Sequence, residues 1–137
     1  MTSQLTGRKF HVASPQQAVN YGSQDVRNTK MHIFDFAYVS ESGIMGSAPQ
    51  AIKLLLKDRL DGFWIHLDAD VLDNSIMPAV DYRLDGGLSF SELSELLKII
   101  ITSGRAVGID ITIFNPNLDL DGSIARNFVS SIIEGLT

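Results

Sequence analysis

The sequence contains no cysteine. A disulfide scaffold, a thiolate zinc site and a cysteine nucleophile are thereby excluded. A long apolar run is also missing. The stretch Leu96–Thr102 is interrupted by Lys98 and falls far short of the ~20 residues that cross a bilayer. Met1–Phe10 is polar, so no secretory signal is visible. Positive charge is scarce: 11 Lys and Arg stand against 16 Asp and Glu, for a net charge of −5. That balance disfavours nucleic acid, where a basic stripe supplies most of the affinity. No internal repeat or low-complexity tract occurs. These absences make the cytoplasm the simplest compartment and argue against nucleic-acid and membrane partners.

What is present is ordinary globular composition, 45% hydrophobic and 20% charged over 137 residues. Residues 1–137 read as one domain, large enough to bury roughly two-thirds of its unfolded surface. Phe10–Ala13 is a short strand candidate. Pro15–Tyr21 is a polar connection with weak helical character. Met31–Phe36 reads as a strand, followed by a turn at Ser40–Gly46. A helix is expected from Ser47, with Ser47 as cap, Pro49 in the first turn and Ile52, Leu55, Leu56 and Leu60 on one face. Asp61-Gly62 ends it. Phe63–Leu67 is a nearly continuous apolar run, the pattern of a strand covered on both faces. Ser89-Phe90-Ser91-Glu92 forms a capping box ahead of Leu93, Leu96, Leu97 and Ile100 at helical spacing, closed by Gly104. Ala106–Ile111 is a further strand. Asp121 is the expected cap of a last helix with a broad stripe from Ile124 to Leu136. The order β, β, α, β, α, β, α implies an α/β fold with a parallel sheet. In such sheets chemistry sits at the carboxyl ends of the strands, here just after Leu67 and just after Ile111.

One of those ends is acidic. Ile65-His66-Leu67-Asp68-Ala69-Asp70-Val71-Leu72-Asp73 leaves a strand and enters a long loop. Two carboxylates two residues apart share one side of an extended backbone. Together they repel and raise each other's pKa unless a cation lies between them. Hard oxygen ligands of this type suit magnesium or manganese. The plainer reading is that Asp68 and Asp70 cap neighbouring loop amides. His66 lies on the same strand face and is a further ligand candidate, or a packed, hydrogen-bonded histidine. Asp73 is expected to order the loop. His11 and His32 have no motif around them, and Ser89 has no base to make it a nucleophile.

Several pieces in register resemble the C-terminal half of the arginase/agmatinase (ureohydrolase) family. They are Asp68-Ala69-Asp70-Val71-Leu72-Asp73, then Met77-Pro78-Ala79, then Gly86-Gly87-Leu88-Ser89, then Gly108-Ile109-Asp110-Ile111 with Asn115-Pro116. Tyr21-Gly22-Ser23-Gln24-Asp25 also resembles a branch of loosely characterised arginase-like proteins. The resemblance implies a three-layer α/β/α fold with a mostly parallel sheet and a two-manganese site. It also implies hydrolysis of a linear amidine or guanidine C–N bond by metal-activated hydroxide. Asp68 would bridge the metals and Asp70 would bind one of them. Asp110, His66 and Asp73 would be supporting or structural groups.

The departures from the family pattern are specific. Its other ligands lie in a Gly-Gly-x-His and an Asp-Ala-His-x-Asp segment, and neither occurs in this sequence. The expectation is therefore a domain lacking its N-terminal half, whose two aspartates cannot satisfy two cations that each take about six ligands. Ile113 stands where the family has a guanidinium-holding glutamate. An aliphatic side chain cannot pair with that cation, which argues against arginine or agmatine as substrate. Asn74 replaces a proline, and Val80-Asp81-Tyr82 replaces Thr-Gly-Thr. Asp81, Arg83 and Asp85 then either touch a different substrate or form a solvated loop, and the plainer, solvated reading is favoured.

Two other functions fit parts of the pattern. An inactive remnant, acting as a binding or oligomerising domain, would expose strand edges and apolar surface. Homo-oligomerisation, or pairing with the missing N-terminal segment, would cover both. Apolar helices around Leu54 and Ile132 motivate an expected dimer or larger species. A strand followed by Asp68-Ala69-Asp70-Val71 also resembles the first motif of haloacid-dehalogenase-like phosphatases. In that case Lys98 falls on a helix, Asp119 and Asp121 come late, and the Gly-Gly-Leu and Asn-Pro pieces have no role.

Overall fold

The computed structural model describes residues 10–13, 32–58, 61–83 and 85–137, with the backbone alone for 10–13 and 58. Strand β1 (Phe10–Ala13) pairs with β2 (His32–Asp35). Helix α1 (Phe36–Leu55) follows, continued by a 3-10 turn at Leu56–Asp58. Strand β3 (Phe63–Asp68) leads through a 3-10 turn, Ala69–Val71, into the long loop. Helix α2 (Phe90–Thr102), strand β4 (Ala106–Thr112) and helix α3 (Ser123–Leu136) complete the chain. The order matches the alternation read from the sequence. Both strand pairings, β1 with β2 and β3 with β4, are parallel. Among the described residues they form two two-stranded sheets rather than one continuous sheet. Pro15–Tyr21, Met31 and Leu60 lie outside the described residues.

Helix α1 starts earlier than its pattern suggests. Asp35 caps it, its carboxylate accepting from the Tyr38 amide at 2.9 Å. The expected turn at Ser40–Gly46 shrinks to one residue: Gly43, at φ 68° and ψ 166°, breaks an otherwise helical run. Such a φ is cheap only for glycine. Ser47 therefore lies within the helix and donates its hydroxyl to the Gly43 carbonyl at 2.8 Å instead of capping. Pro49 also sits inside the helix.

Helix α2 opens on the expected capping box. Ser89 accepts from the Glu92 amide, and the Glu92 carboxylate accepts from the Ser89 amide at 2.8 Å. Leu93 and Leu97 are buried in the core with Leu72, Met77 and Leu88. Helix α3 packs on α2, with Gly135 against Leu97 and Ser94 and the Ser94 hydroxyl donating to the Ser131 carbonyl at 2.9 Å, while Phe128 and Ile132 are buried in the core. Asp121 accepts from the Ser123 amide at 3.0 Å. Asp119 does more of the capping, accepting from Ile124 and Ala125 at 3.1 and 2.8 Å. The α3 stripe is wider than the surface it covers. Val129 and Ile133 stay 50% and 56% exposed, whereas Ile132 is buried and Leu54 packs against the core. The surplus apolar surface thus lies beside Ile132 rather than on it. No helix among the described residues is long and apolar enough to cross a membrane.

Candidate functional site

The β3–β4 register builds the candidate site. Trp64 lies opposite Gly108, His66 opposite Asp110 and Asp68 opposite Thr112. Paired positions of parallel strands share a face, so these residues form a polar row along one side of the pair. At the carboxyl end, the Thr112 hydroxyl donates to Asp68. One step back, His66 Nδ1 lies 2.5 Å from Asp110 Oδ2, and its Nε2 lies 3.2 Å from Asp68 Oδ1. At the other end, the Trp64 indole N–H donates to Asp110. Hydrogen bonds from Trp64 and His66, with the attraction of the imidazole, hold the Asp110 carboxyl below the ordinary carboxylate range.

This row corrects one expectation. The apolar run Phe63–Leu67 suggested burial on both faces, yet only Leu67 is buried in β3 and Trp64 is 61% exposed. The alternation of Trp64, His66 and Asp68 puts the polar groups on the open face. The expected shared side of Asp68 and Asp70 assumed an extended backbone through both residues. Asp68 is the last strand residue, and the backbone turns into a 3-10 conformation at Ala69. Asp70 therefore belongs to a turn, not to an extended strand.

Asp73 is tied into the loop by three hydrogen bonds. Its carboxylate accepts from the Ser75 hydroxyl at 2.5 Å, the Ser75 amide at 2.9 Å and the Gly86 amide at 3.1 Å. The Ser75 hydroxyl, then its amide, and more weakly the Gly86 amide, lower the Asp73 pKa. At the end of β4, Ile113 adopts φ 72°, strained for a β-branched residue. It is flanked by the Val80–Phe114 bridge and by the Asn115 amide, which donates to Ala79 at 2.8 Å. The Asn115 side chain donates to Asp81 at 2.6 Å, so Asp81 is tied down. Arg83 and Asp85 are exposed.

Among the described residues, no group of three or more His, Cys, Asp or Glu side chains could hold a metal ion. The geometry gives the reason. His66 turns its nitrogens toward Asp110 and Asp68, and Asp68 also receives Thr112. The donor atoms face one another instead of a common point. The described residues do not by themselves fit a manganese pair.

Thr112 and Trp64 are the residues that pattern reading misses. Each is singled out by its cross-strand neighbour, and register is not visible along one strand.

Comparison with known proteins adds an independent line. The arginase family pattern matches residues 8–136. An arginase of Brucella melitensis is 30% identical over 105 residues, 76% of this chain and 34% of that protein. The N(1)-aminopropylagmatine ureohydrolase of Thermus thermophilus is 41% identical over 54 residues, 39% of this chain and 18% of that protein. Among solved structures, the arginase from Bacillus caldovelox superposes with a TM-score of 0.74 at 25% identity, covering 83% of this chain and 38% of that one. The chain thus spans about a third of the length of the Brucella arginase it matches. With an α/β fold of parallel strands and a match over nearly its whole length, the chain belongs to the arginase family of hydrolases.

Proposed function

We propose that the chain contributes Asp68 and Asp70 to a metallohydrolase site that cleaves a C–N bond of a linear amidine or guanidine. The observation that carries this reading is Asp68 at the carboxyl end of β3, followed at once by the Asp70 turn, in a chain of this family. Manganese is the cation that the family resemblance implies, and carboxylates are suitable donors for it. When bound, it would supply activated hydroxide. The other ligands come from outside the described residues, and no hydrolytic step is assigned to this chain alone. Ile113, aliphatic and 46% exposed, favours a small-molecule substrate other than arginine or agmatine.

The test is calorimetric titration of the purified chain with manganese, beside the double variant Asp68→Ala, Asp70→Ala. The expected result is weak binding, with a Kd on the order of 1 mM, abolished in the double variant. Binding of equal strength in both proteins would overturn the assignment of these aspartates.

A second reading is favoured by one observation, the mutual satisfaction of His66, Asp68 and Asp110. In that reading the chain is catalytically inactive and serves as a binding or oligomerising domain. Absence of any manganese heat at millimolar metal would select it.

A further inference from the structure

We propose that Gly87 and Asp73 are positioning residues for the turn that carries Asp70, acting as a clasp across the neck of the long loop. The proposal rests on the reading of Asp68 and Asp70 as carboxylates that the chain contributes to a metallohydrolase site.

The turn Ala69–Val71 hangs between two anchors. Its entrance is the end of β3, where Asp68 pairs with Thr112. Its exit is the neck. There Leu72 bridges Leu88, the Leu88 amide donates to the Val71 carbonyl at 2.9 Å, and the Asp73 amide donates to the Leu88 carbonyl at 3.0 Å. Leu72 and Leu88 are 2% and 1% exposed, so the neck is embedded in the core. Ala69, the first residue of the turn, is wholly buried. Asp70 has little freedom to move without one anchor giving way.

Gly87 is the part of the neck that admits no substitute. A Cβ there would lie 2.6 Å from the Asp73 nitrogen and the Leu72 carbonyl carbon, and 2.8 Å from the Val71 oxygen. All three are backbone atoms and cannot swing aside as a side chain can. Any side chain at residue 87 must push the Val71–Asp73 segment, and with it the turn. Asp73 closes the clasp from the other side. Its Oδ2 accepts the Gly86 amide, while Oδ1 is held by Ser75. Gly86, at φ 81°, presents that amide, and a Cβ on it would meet the Phe36 ring at 3.5 Å. A glycine pair that only relaxed the entry to α2 would need neither the close approach nor the carboxylate bond.

Amide hydrogen exchange, read residue by residue, tests the clasp without any metal. In Gly87→Ala the amides of residues 69–72 should exchange about tenfold faster, while those of Leu93, Leu97 and Ile132 stay as in the parent. The carboxyl-carbon NMR signal of Asp70 should move, and that of Asp119, which caps α3, should not. Asp73→Asn is the milder variant, placing an NH2 group or a lone acceptor against the Gly86 amide. It should produce the same pattern if Gly87→Ala fails to fold. An unchanged Asp70 signal in folded variants, or faster exchange spread evenly through α2 and α3, would overturn the proposal. Absence of manganese binding by the parent chain would refute the metal reading alone, because neither readout uses the ion.

Discussion

The Trp64 ring occupies the space into which a side chain at Gly108 would project, one strand away. From that seat its indole donates to Asp110, so an apolar contact at one end of the row fixes a carboxylate that also holds His66. The tryptophan is the only one in the sequence, which makes its environment directly readable by fluorescence.

Gly108→Ala should therefore displace the indole and release Asp110. We expect a shifted emission maximum and a loss of about 1–3 kcal/mol in stability, the usual cost of forcing atoms into filled space. Adding Trp64→Ala should recover part of the loss. A Gly108→Ala protein with unchanged emission and unchanged denaturation midpoint would contradict the arrangement.

Asp73 predicts a pH effect. Its folded pKa lies below the ordinary carboxylate value through the Ser75 hydroxyl and amide, with a smaller part from Gly86. The unfolded value is about 3.9. A lowered folded pKa gives stabilisation that is complete above the unfolded pKa and is lost as pH falls through the folded one. Ser75→Ala should thus cost stability at pH 7 and cost less as acid is added below about pH 4. Urea denaturation of both proteins across that range checks it; a penalty independent of pH would refute it.

Ile113 holds a left-handed φ at the end of β4. Such conformations cost on the order of 1–3 kcal/mol in a bulky residue. Ile113→Gly should raise the unfolding free energy by about 1 kcal/mol, since the side chain is nearly half exposed and little packing is lost. A clear destabilisation would mean that the side chain packs better than its exposure suggests.

Helix α3 leaves Val129 and Ile133 uncovered on adjacent turns. We expect a dimer or larger species in light scattering at low micromolar concentration, converted toward monomer by Ile133→Lys. A monodisperse monomer for the parent chain would dispose of this expectation.

Arginine should not yield urea with this chain alone, because Ile113 offers no charge and the described donors do not enclose a metal ion. A turnover near one per second in a direct urea assay would overturn both statements.

The sequence reveals much of this molecule and conceals the rest for identifiable reasons. Strand β1 and the capping box of α2 are legible because each rests on short-range pattern. The acidic motif is legible because Asp68 and Asp70 follow a strong strand signal. The start of α1 is obscured by two misleading cues, Ser47 and Pro49, which resemble a helix start while the true cap is Asp35. Asp119 caps α3 from outside the helix through loop geometry, which no local spacing announces. The open face of β3 is hidden inside an apolar run, and the partners of Asp68 and Asp110 depend on a register set between distant segments.

The bridge between Leu72 and Leu88 separates the two ends of the long loop from its tip. Closing a loop of a few more residues costs little, since the entropy grows only with the logarithm of length. A change of length between Tyr82 and Asp85 is therefore expected to cost the scaffold little. The neck thus acts as an insulator between the tip and the core residues Leu72 and Leu88.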